Sequence, residues 1–180
     1  MADIILNDVE ISNLVQERKE FPRNYEILFQ TKDKKGHREQ EIILPRSDGS
    51  QFKVILRQNQ INQLAFSLIL GYMPPKTTAL IRLRRYNGKS HYHTNKIEKE
   101  TFYDFHIHQA TERYQAAGFE EDGYAVISKE FVDIQSALDC LVKDCSIVLP
   151  ANRQLKMKIV LKLKVTKWIL RQLRTNFKRK

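Results

Sequence analysis

Four of the five histidines lie within eighteen residues and form two His-x-His pairs, His91 with His93 and His106 with His108. Alternate side chains of a β-strand share one face, so a pair that lies in a strand presents two imidazoles side by side. Imidazoles exchange protons near neutral pH, and neutral imidazoles bind transition metals. The spacing therefore indicates acid–base chemistry, a metal site, or two histidine-bearing strands without a chemical role.

Metal-independent RNA cleavage is the first interpretation of these pairs, and it needs no cofactor. The reaction requires a base for the 2′-hydroxyl, an acid for the leaving 5′-oxygen and cations beside the phosphate. We assign the acid–base roles to His106 and His108, and a second acid or a phosphate contact to His91. Arg82 and Arg84 would stabilise the charge of the transition state. The chain is then a small endoribonuclease.

A metal site is the alternative interpretation of the same histidines. His-x-His is a common ligand spacing, and imidazoles suit a divalent transition metal such as zinc, iron or nickel. The ligands would be His91, His93, His106 and His108. Glu98 follows the first pair as in half of a cupin motif, but the glycines that frame that motif are missing. The sequence contains no Ser or Cys nucleophile motif and no phosphate-binding glycine loop, so it does not support the common hydrolase triads or nucleotide-binding folds.

The net charge of +10 lies in the last thirty residues of the chain. Residues 151–180 hold eleven Lys and Arg and no acidic residue, whereas residues 1–150 are close to neutral. Lysines on a strand can protect a sheet edge, but an array of this size is typical of RNA or DNA binding through phosphates. The candidate nucleic-acid contacts are Lys89, Arg113, Lys156, Lys158, Lys162, Lys164, Arg171 and Arg174. A non-catalytic module that binds nucleic acid or a protein, such as a phage-type inhibitor, is thus a further hypothesis.

The chain is expected to form a body over residues 1–150 and a lysine-rich strand–helix tail over residues 151–180, packed on the same domain. No apolar run approaches the length of a membrane span, and the first residues lack the pattern of a signal peptide. We therefore expect a cytoplasmic protein without a membrane partner. Cys140 and Cys145 lie in a predicted helix without a nearby histidine and are expected to be reduced structural thiols.

The pattern of the body predicts an α+β fold, with an antiparallel sheet flanked by N-terminal and C-terminal helices. Asn7 and Asp133 are suited to cap the two helices. Strands are predicted over residues 25–29, 39–44, 51–57, 77–86, 102–108 and 124–127, while residues 59–72 fit a helix or a strand.

Two local patterns predict where the histidines lie. Asn87-Gly88 predicts a tight hairpin that returns His91 and His93 beside the arginine-rich strand. Alternation along residues 102–108 predicts that the second histidine pair shares the face that points away from the core.

Residues 80–147 also carry an ordered set of positions: a Leu-x-Arg, an Asn-Gly, a histidine and an asparagine, a His-x-His, and a helix that ends in Cys-x-Ile. The matching residues are Leu80, Arg82, Asn87, Gly88, His91, Asn95, His106, His108, and the segment from Leu141 through Cys145 to Ile147. This order resembles a family of short, uncharacterised bacterial proteins. It is also loosely similar to small histidine-rich toxins of bacterial toxin–antitoxin pairs. The family implies no mechanism of its own. The similarity to toxins implies that the endoribonuclease would be of toxin type, with an antitoxin protein as a candidate partner. A homodimer is a further expectation.

Overall fold

The computed structural model describes residues 4–25, 30–34 and 36–150, and for residues 30–34 the backbone only. The predicted tail and most of the strand predicted over residues 25–29 fall outside these ranges. The same holds for six of the proposed nucleic-acid contacts, which are Lys156, Lys158, Lys162, Lys164, Arg171 and Arg174. The architecture below is that of the unit that ends at Val148.

Three helices and eleven strands are found in the described residues. The helices are α1 (Asp8–Gln16), α2 (Glu112–Ala116) and α3 (Ile134–Asp144). The strands are β1 (Lys19–Glu20), β2 (Gln30–Lys34), β3 (His37–Pro45), β4 (Gln51–Asn59), β5 (Phe66–Met73), β6 (Ile81–Asn87), β7 (His93–Asn95), β8 (Glu100–Phe102), β9 (His106–Gln109), β10 (Tyr124–Ile127) and β11 (Ile147–Val148). None of the described helices has the length and apolar character needed to cross a membrane.

Seven of the strands form one antiparallel sheet in the order β10-β9-β6-β5-β4-β3-β2. Strands β2 to β6 form a meander in which each strand pairs with the next one. Strand β9 then pairs with β6, and β10 pairs with β9. Two small sheets complete the unit, β7 with β8 and the parallel pair of β1 with β11. The predicted α+β class, with helices beside an antiparallel sheet, is confirmed.

Local side-chain chemistry sets the ends of the two longer helices. Asn7 forms a capping box with Glu10 at the start of α1, and Asp133 forms one with Ser136 at the start of α3. Each box satisfies backbone N–H groups that have no partner within the helix. Both predicted caps are therefore confirmed.

The ambiguous segment 59–72 divides into a turn and the buried strand β5. The side chains of Asn59 and Asn62 accept hydrogen bonds from backbone N–H groups in the turn. In β5 the consecutive residues Leu68, Ile69 and Leu70 are all buried. A strand covered on both faces loses the polar–apolar alternation by which strands are recognised, which explains the ambiguity.

The predicted tight hairpin at Asn87-Gly88 is wrong. Strand β7 pairs with β8, and the position beside β6 is taken by β9. The glycine has a different role, because the backbone passes close to the preceding strand here. A Cβ atom at Gly88 would lie 1.9 Å from the Leu64 carbonyl oxygen and 2.8 Å from the Phe66 ring. The residue permits close packing, and the chain continues into a loop.

Candidate functional site

Three histidines meet where the β7–β8 hairpin covers strand β9. His106 and His108 are 0 % and 2 % exposed, and His93 is half-buried. One ring nitrogen of each residue lies within 4.8 Å of the corresponding nitrogens of the other two. The His93 ring centroid is 5.3 Å from that of His106 and 4.6 Å from that of His108. The structure thus joins one histidine of the first pair with both of the second.

The expected outward position of His106 and His108 is wrong. The two side chains do share a face, as strand geometry requires. That face is covered, because the Phe102 ring centroid lies 5.5 Å from that of His106 and 5.3 Å from that of His93. Strand alternation shows which residues share a face, but it does not show what packs against that face.

Hydrogen bonds to backbone carbonyls determine which nitrogen of each buried ring carries the proton. His106 Nδ1 lies 2.6 Å from the Asp104 carbonyl oxygen, and His108 Nδ1 lies 2.8 Å from that of Asp122. A carbonyl oxygen can only accept, so His106 Nδ1 carries a proton and donates it. His108 Nδ1 also lies 3.1 Å from Arg85 Nη2, which can only donate, but the Asp122 carbonyl oxygen is nearer, and we assign the proton to Nδ1 on that ground. The Nε2 atom of each neutral ring keeps its lone pair. Both lone pairs face the side-chain amide nitrogen of Asn87, at 3.4 Å and 3.1 Å.

The environment keeps these imidazoles neutral. Burial lowers the pKa of His106 to about 4 and, together with the nearby Arg85 guanidinium, lowers the pKa of His108 to about 2. Burial also lowers the pKa of His93, although hydrogen bonds to Asn95 and to the backbone of Gly123 act in the opposite direction. At neutral pH the two buried rings are neutral, each with one N–H and one free lone pair, which is the form that binds metals. In that form they are poor proton donors.

Asn87, at the end of β6, is 3 % exposed, and its amide nitrogen donates into the histidine cluster. Its Oδ1 atom is buried and has no hydrogen-bond partner among the described residues. Unpaired polar atoms are rare in protein interiors, because each one costs about 1–3 kcal/mol of stability. The described residues therefore satisfy only half of this side chain.

Asn95 holds the third histidine in place. Its buried amide pairs with both backbone groups of Ala125, with Nδ2 donating to the carbonyl oxygen at 2.9 Å and Oδ1 accepting from the N–H at 2.8 Å. These two bonds fix the orientation of the amide. His93 Nε2 lies 3.0 Å from the same Oδ1 atom and donates to it. The β7–β8 hairpin is thereby tied to the edge strand β10.

Two arginines hold the carbonyl that orients His108. Arg82 contacts the carboxylates of Glu120, Glu121 and Asp122, and Arg85 Nε lies 2.9 Å from Asp122 Oδ2. Asp122 is almost fully buried, and its backbone oxygen accepts the His108 proton. The ion pairs therefore fix the position of one imidazole.

The same arginines offset most of the charge of the acidic turn that they contact. Glu120, Glu121 and Asp122 lie close enough together to hold a metal ion. Arg82 and Arg85 offset two of the three negative charges, which makes these residues a weaker metal candidate than the histidines. Arg82 is likewise engaged with carboxylates in the described structure and less available to a phosphate.

The other residues proposed from the sequence lie around the cluster or away from it. His91 is exposed, and its ring centroid lies 5.6 Å from that of His106. Arg84 is half-buried and donates to the Leu83 carbonyl. Lys89 Nζ lies 3.4 Å from Asp104 Oδ1, and Arg113 forms an ion pair with Glu98.

Sequence reasoning missed Asn87, Asn95, Arg85 and Asp122 as parts of this site. Asn87 and Asn95 do occur among the ordered positions of the segment 80–147, so a signal for them existed. Asn87 was interpreted only as a turn residue. For Arg85 and Asp122 no sequence pattern indicated the contact, because it depends on the packing of β6 against the turn before β10.

No family model, no curated protein and no solved structure matches the chain. The resemblance of residues 80–147 to a bacterial family therefore stays a prediction, and the site must be interpreted from its own geometry.

Proposed function

We propose that the chain is a metalloprotein that binds one divalent transition metal at His93, His106 and His108. The observation that carries the proposal is the convergence of the two buried Nε2 lone pairs on one point. Their Nδ1 protons are already held by the carbonyls of Asp104 and Asp122. A hydrogen bond from the second ring nitrogen to a carbonyl is the arrangement that orients histidine ligands in metal sites.

Asn87 supports the proposal through its distances to the histidines. Its amide nitrogen lies 3.1 Å from His108 Nε2 and 3.4 Å from His106 Nε2. Two ligand atoms of a tetrahedral zinc ion are about 3.3 Å apart, given metal–nitrogen bonds near 2.0–2.1 Å. The amide nitrogen thus lies about as far from the two Nε2 atoms as a further ligand of the same metal ion would. Rotation of the amide by half a turn would place the unpaired Oδ1 atom there.

The metal would act as a Lewis acid. Imidazole and amide ligands are neutral, so they leave the charge of a divalent ion undiminished. Such an ion polarises a phosphoryl or carbonyl oxygen and lowers the pKa of bound water. The exposed His91, whose ring centroid is 5.6 Å from that of His106, marks the side from which a substrate would approach. We therefore propose hydrolytic chemistry at this centre.

Metal binding is tested on the purified full chain. We expect about one equivalent of Zn²⁺ or Co²⁺ per chain, a rise in Tm on adding the ion, and visible d–d bands with Co²⁺ that are typical of nitrogen-rich tetrahedral coordination. His93→Ala should lose most of the affinity and the Tm shift. The exposed His91→Ala is the matched control and should keep both. Binding that is absent in the wild type, or equal in wild type and His93→Ala, would contradict the proposal.

Metal-independent RNA cleavage remains the second candidate function. The accessible His91 beside His106 and the net charge of +10 favour it. Incubation with total RNA separates the two proposals. Cleavage that persists in EDTA and disappears in His106→Asn supports the metal-independent endoribonuclease. Cleavage that EDTA abolishes and Zn²⁺ restores supports the metal centre.

A further inference from the structure

The β7–β8 hairpin carries two tyrosines beside the histidine cluster but on its outer side. His93 faces Phe102 across the hairpin, and both rings pack towards His106. Tyr92 and Tyr103 directly flank these two strands, next to His93 and Phe102 respectively, and both are exposed. Their ring centroids are 5.1 Å apart, at an interplanar angle of 54°.

This tyrosine pair is open to solvent. Tyr92 is 74 % exposed and Tyr103 is 43 % exposed, although each is large enough to contribute to a core. The ammonium group of Lys89 lies 5.8 Å from the centroid of the Tyr103 ring. It also lies 3.4 Å from Asp104 Oδ1, an exposed ion pair that a phosphate would have to compete with. Two uncovered aromatic rings with a cation at their side are a combination that binds single-stranded nucleic acids, whose bases stack while the backbone phosphates meet the cation.

We propose that Tyr92, Tyr103 and Lys89 form a stacking site for the unpaired bases of single-stranded RNA. The charge of the chain favours this occupant over an apolar peptide. Residues 151–180 supply eleven basic residues and no acidic one, which attracts polyanions in general. Such attraction does not distinguish single strands from duplexes. The tyrosine pair would add a preference for single strands, because a duplex does not offer unstacked base faces.

This proposal is independent of the metal centre, and its test is performed in EDTA. Fluorescence anisotropy of the full chain with a labelled oligouridine of about 12 nucleotides measures affinity for a single strand of suitable length. The double variant Tyr92→Ala, Tyr103→Ala should bind this strand about tenfold more weakly. Its affinity for duplex RNA of the same length should be unchanged, because the duplex contacts only cations.

Two controls identify stacking as the cause. Replacing both tyrosines with phenylalanine keeps the ring faces and should keep the affinity. Phe119→Ala removes another exposed ring that has a lysine, Lys96, 5.2 Å from its centroid, and should leave affinity unchanged. The proposal is overturned if the double alanine variant binds the oligouridine as the wild type does. Equal weakening by Phe119→Ala, or an equal loss of duplex affinity in the double alanine variant, would overturn it as well.

Discussion

The buried Lys19 and the buried histidine cluster differ in how completely their hydrogen-bonding groups are satisfied. Lys19 is 2 % exposed, and its ammonium group donates to three backbone carbonyls, at 3.0 Å to Val15, 2.7 Å to Glu17 and 3.1 Å to Cys145. It also lies 4.5 Å from the Phe52 ring centroid. The histidine cluster, in contrast, contains two Nε2 lone pairs beside one amide nitrogen, and an amide oxygen without a partner among the described residues.

The difference is the one expected between a structural group and the ligand-binding site that we propose. The carbonyls that Lys19 binds lie at the C-terminal ends of α1 and α3, where partial negative charge accumulates. Burial lowers the pKa of Lys19 to about 8, so the group is still mostly charged at neutral pH. Three donors meet three acceptors, and nothing remains for a ligand. At Asn87 and the histidines, bonding capacity remains, and a ligand could use it.

Lys19→Met is expected to have the largest effect on stability. The substitution keeps much of the side-chain volume but leaves three carbonyls without their donor. Buried carbonyls that lose their hydrogen-bond donor destabilise the folded state, and we expect the free energy of unfolding to fall by about 4 kcal/mol. Urea denaturation measures it, with the exposed Arg18→Met as the matched control. A loss below about 1 kcal/mol would contradict the structural role of Lys19.

Acidification is expected to destabilise the metal-free protein through the histidines. The pKa of His106 is about 4 in the folded protein and near 6.5 when unfolded, so between these values the unfolded chain binds the extra proton. Stability is fully present above pH 6.5 and falls as the pH decreases towards 4. His106 alone contributes about 3 kcal/mol to this fall.

The His106 contribution is isolated by a difference measurement. The free energy of unfolding is measured for the wild type and for His106→Asn across this pH range, and the difference cancels the contribution of the carboxylates, which both proteins share. Asparagine is chosen because its amide can still donate to the Asp104 carbonyl. We expect a flatter pH dependence for the variant. Equal slopes would show that the imidazole does not titrate as a buried group.

Asn87→Leu is expected to have the smallest effect on stability, about 1 kcal/mol. It removes the donor to two imidazoles, but it also removes the unpaired oxygen, and these two changes partly offset each other. Metal affinity should nevertheless fall by at least tenfold, as measured by competition with a chelator. A large stability loss with unchanged metal affinity would show that Asn87, like Lys19, has a structural role and does not support metal binding.

Local signals predicted the framework of the molecule well. The caps at Asn7 and Asp133 depend on residues within one helical turn. The strand at Tyr124–Ile127 is bounded by short-range turn residues, and its prediction has the observed limits. The α+β class follows from elements of this kind.

The composition of the site depended on contacts between distant segments and was predicted only in part. The sequence identified the histidines, but it did not distinguish His93, which enters the cluster, from His91, which stays exposed. That choice is set by where the β7–β8 hairpin lies on β9. The burial of Lys19 requires two helix ends and a strand to meet, and no pattern near residue 19 encodes that meeting.

The pairing of Asn95 with Ala125 also has a consequence for assembly. Strand β10 is an outer strand of the seven-stranded sheet, and such strands invite a further strand from another molecule. Both backbone groups of Ala125 already bond to the Asn95 amide, which therefore imitates one residue of a neighbouring strand. An incoming chain would have to displace this amide, and with it the bond to His93. The same side chain that orients a histidine thus protects the sheet from growing at this edge.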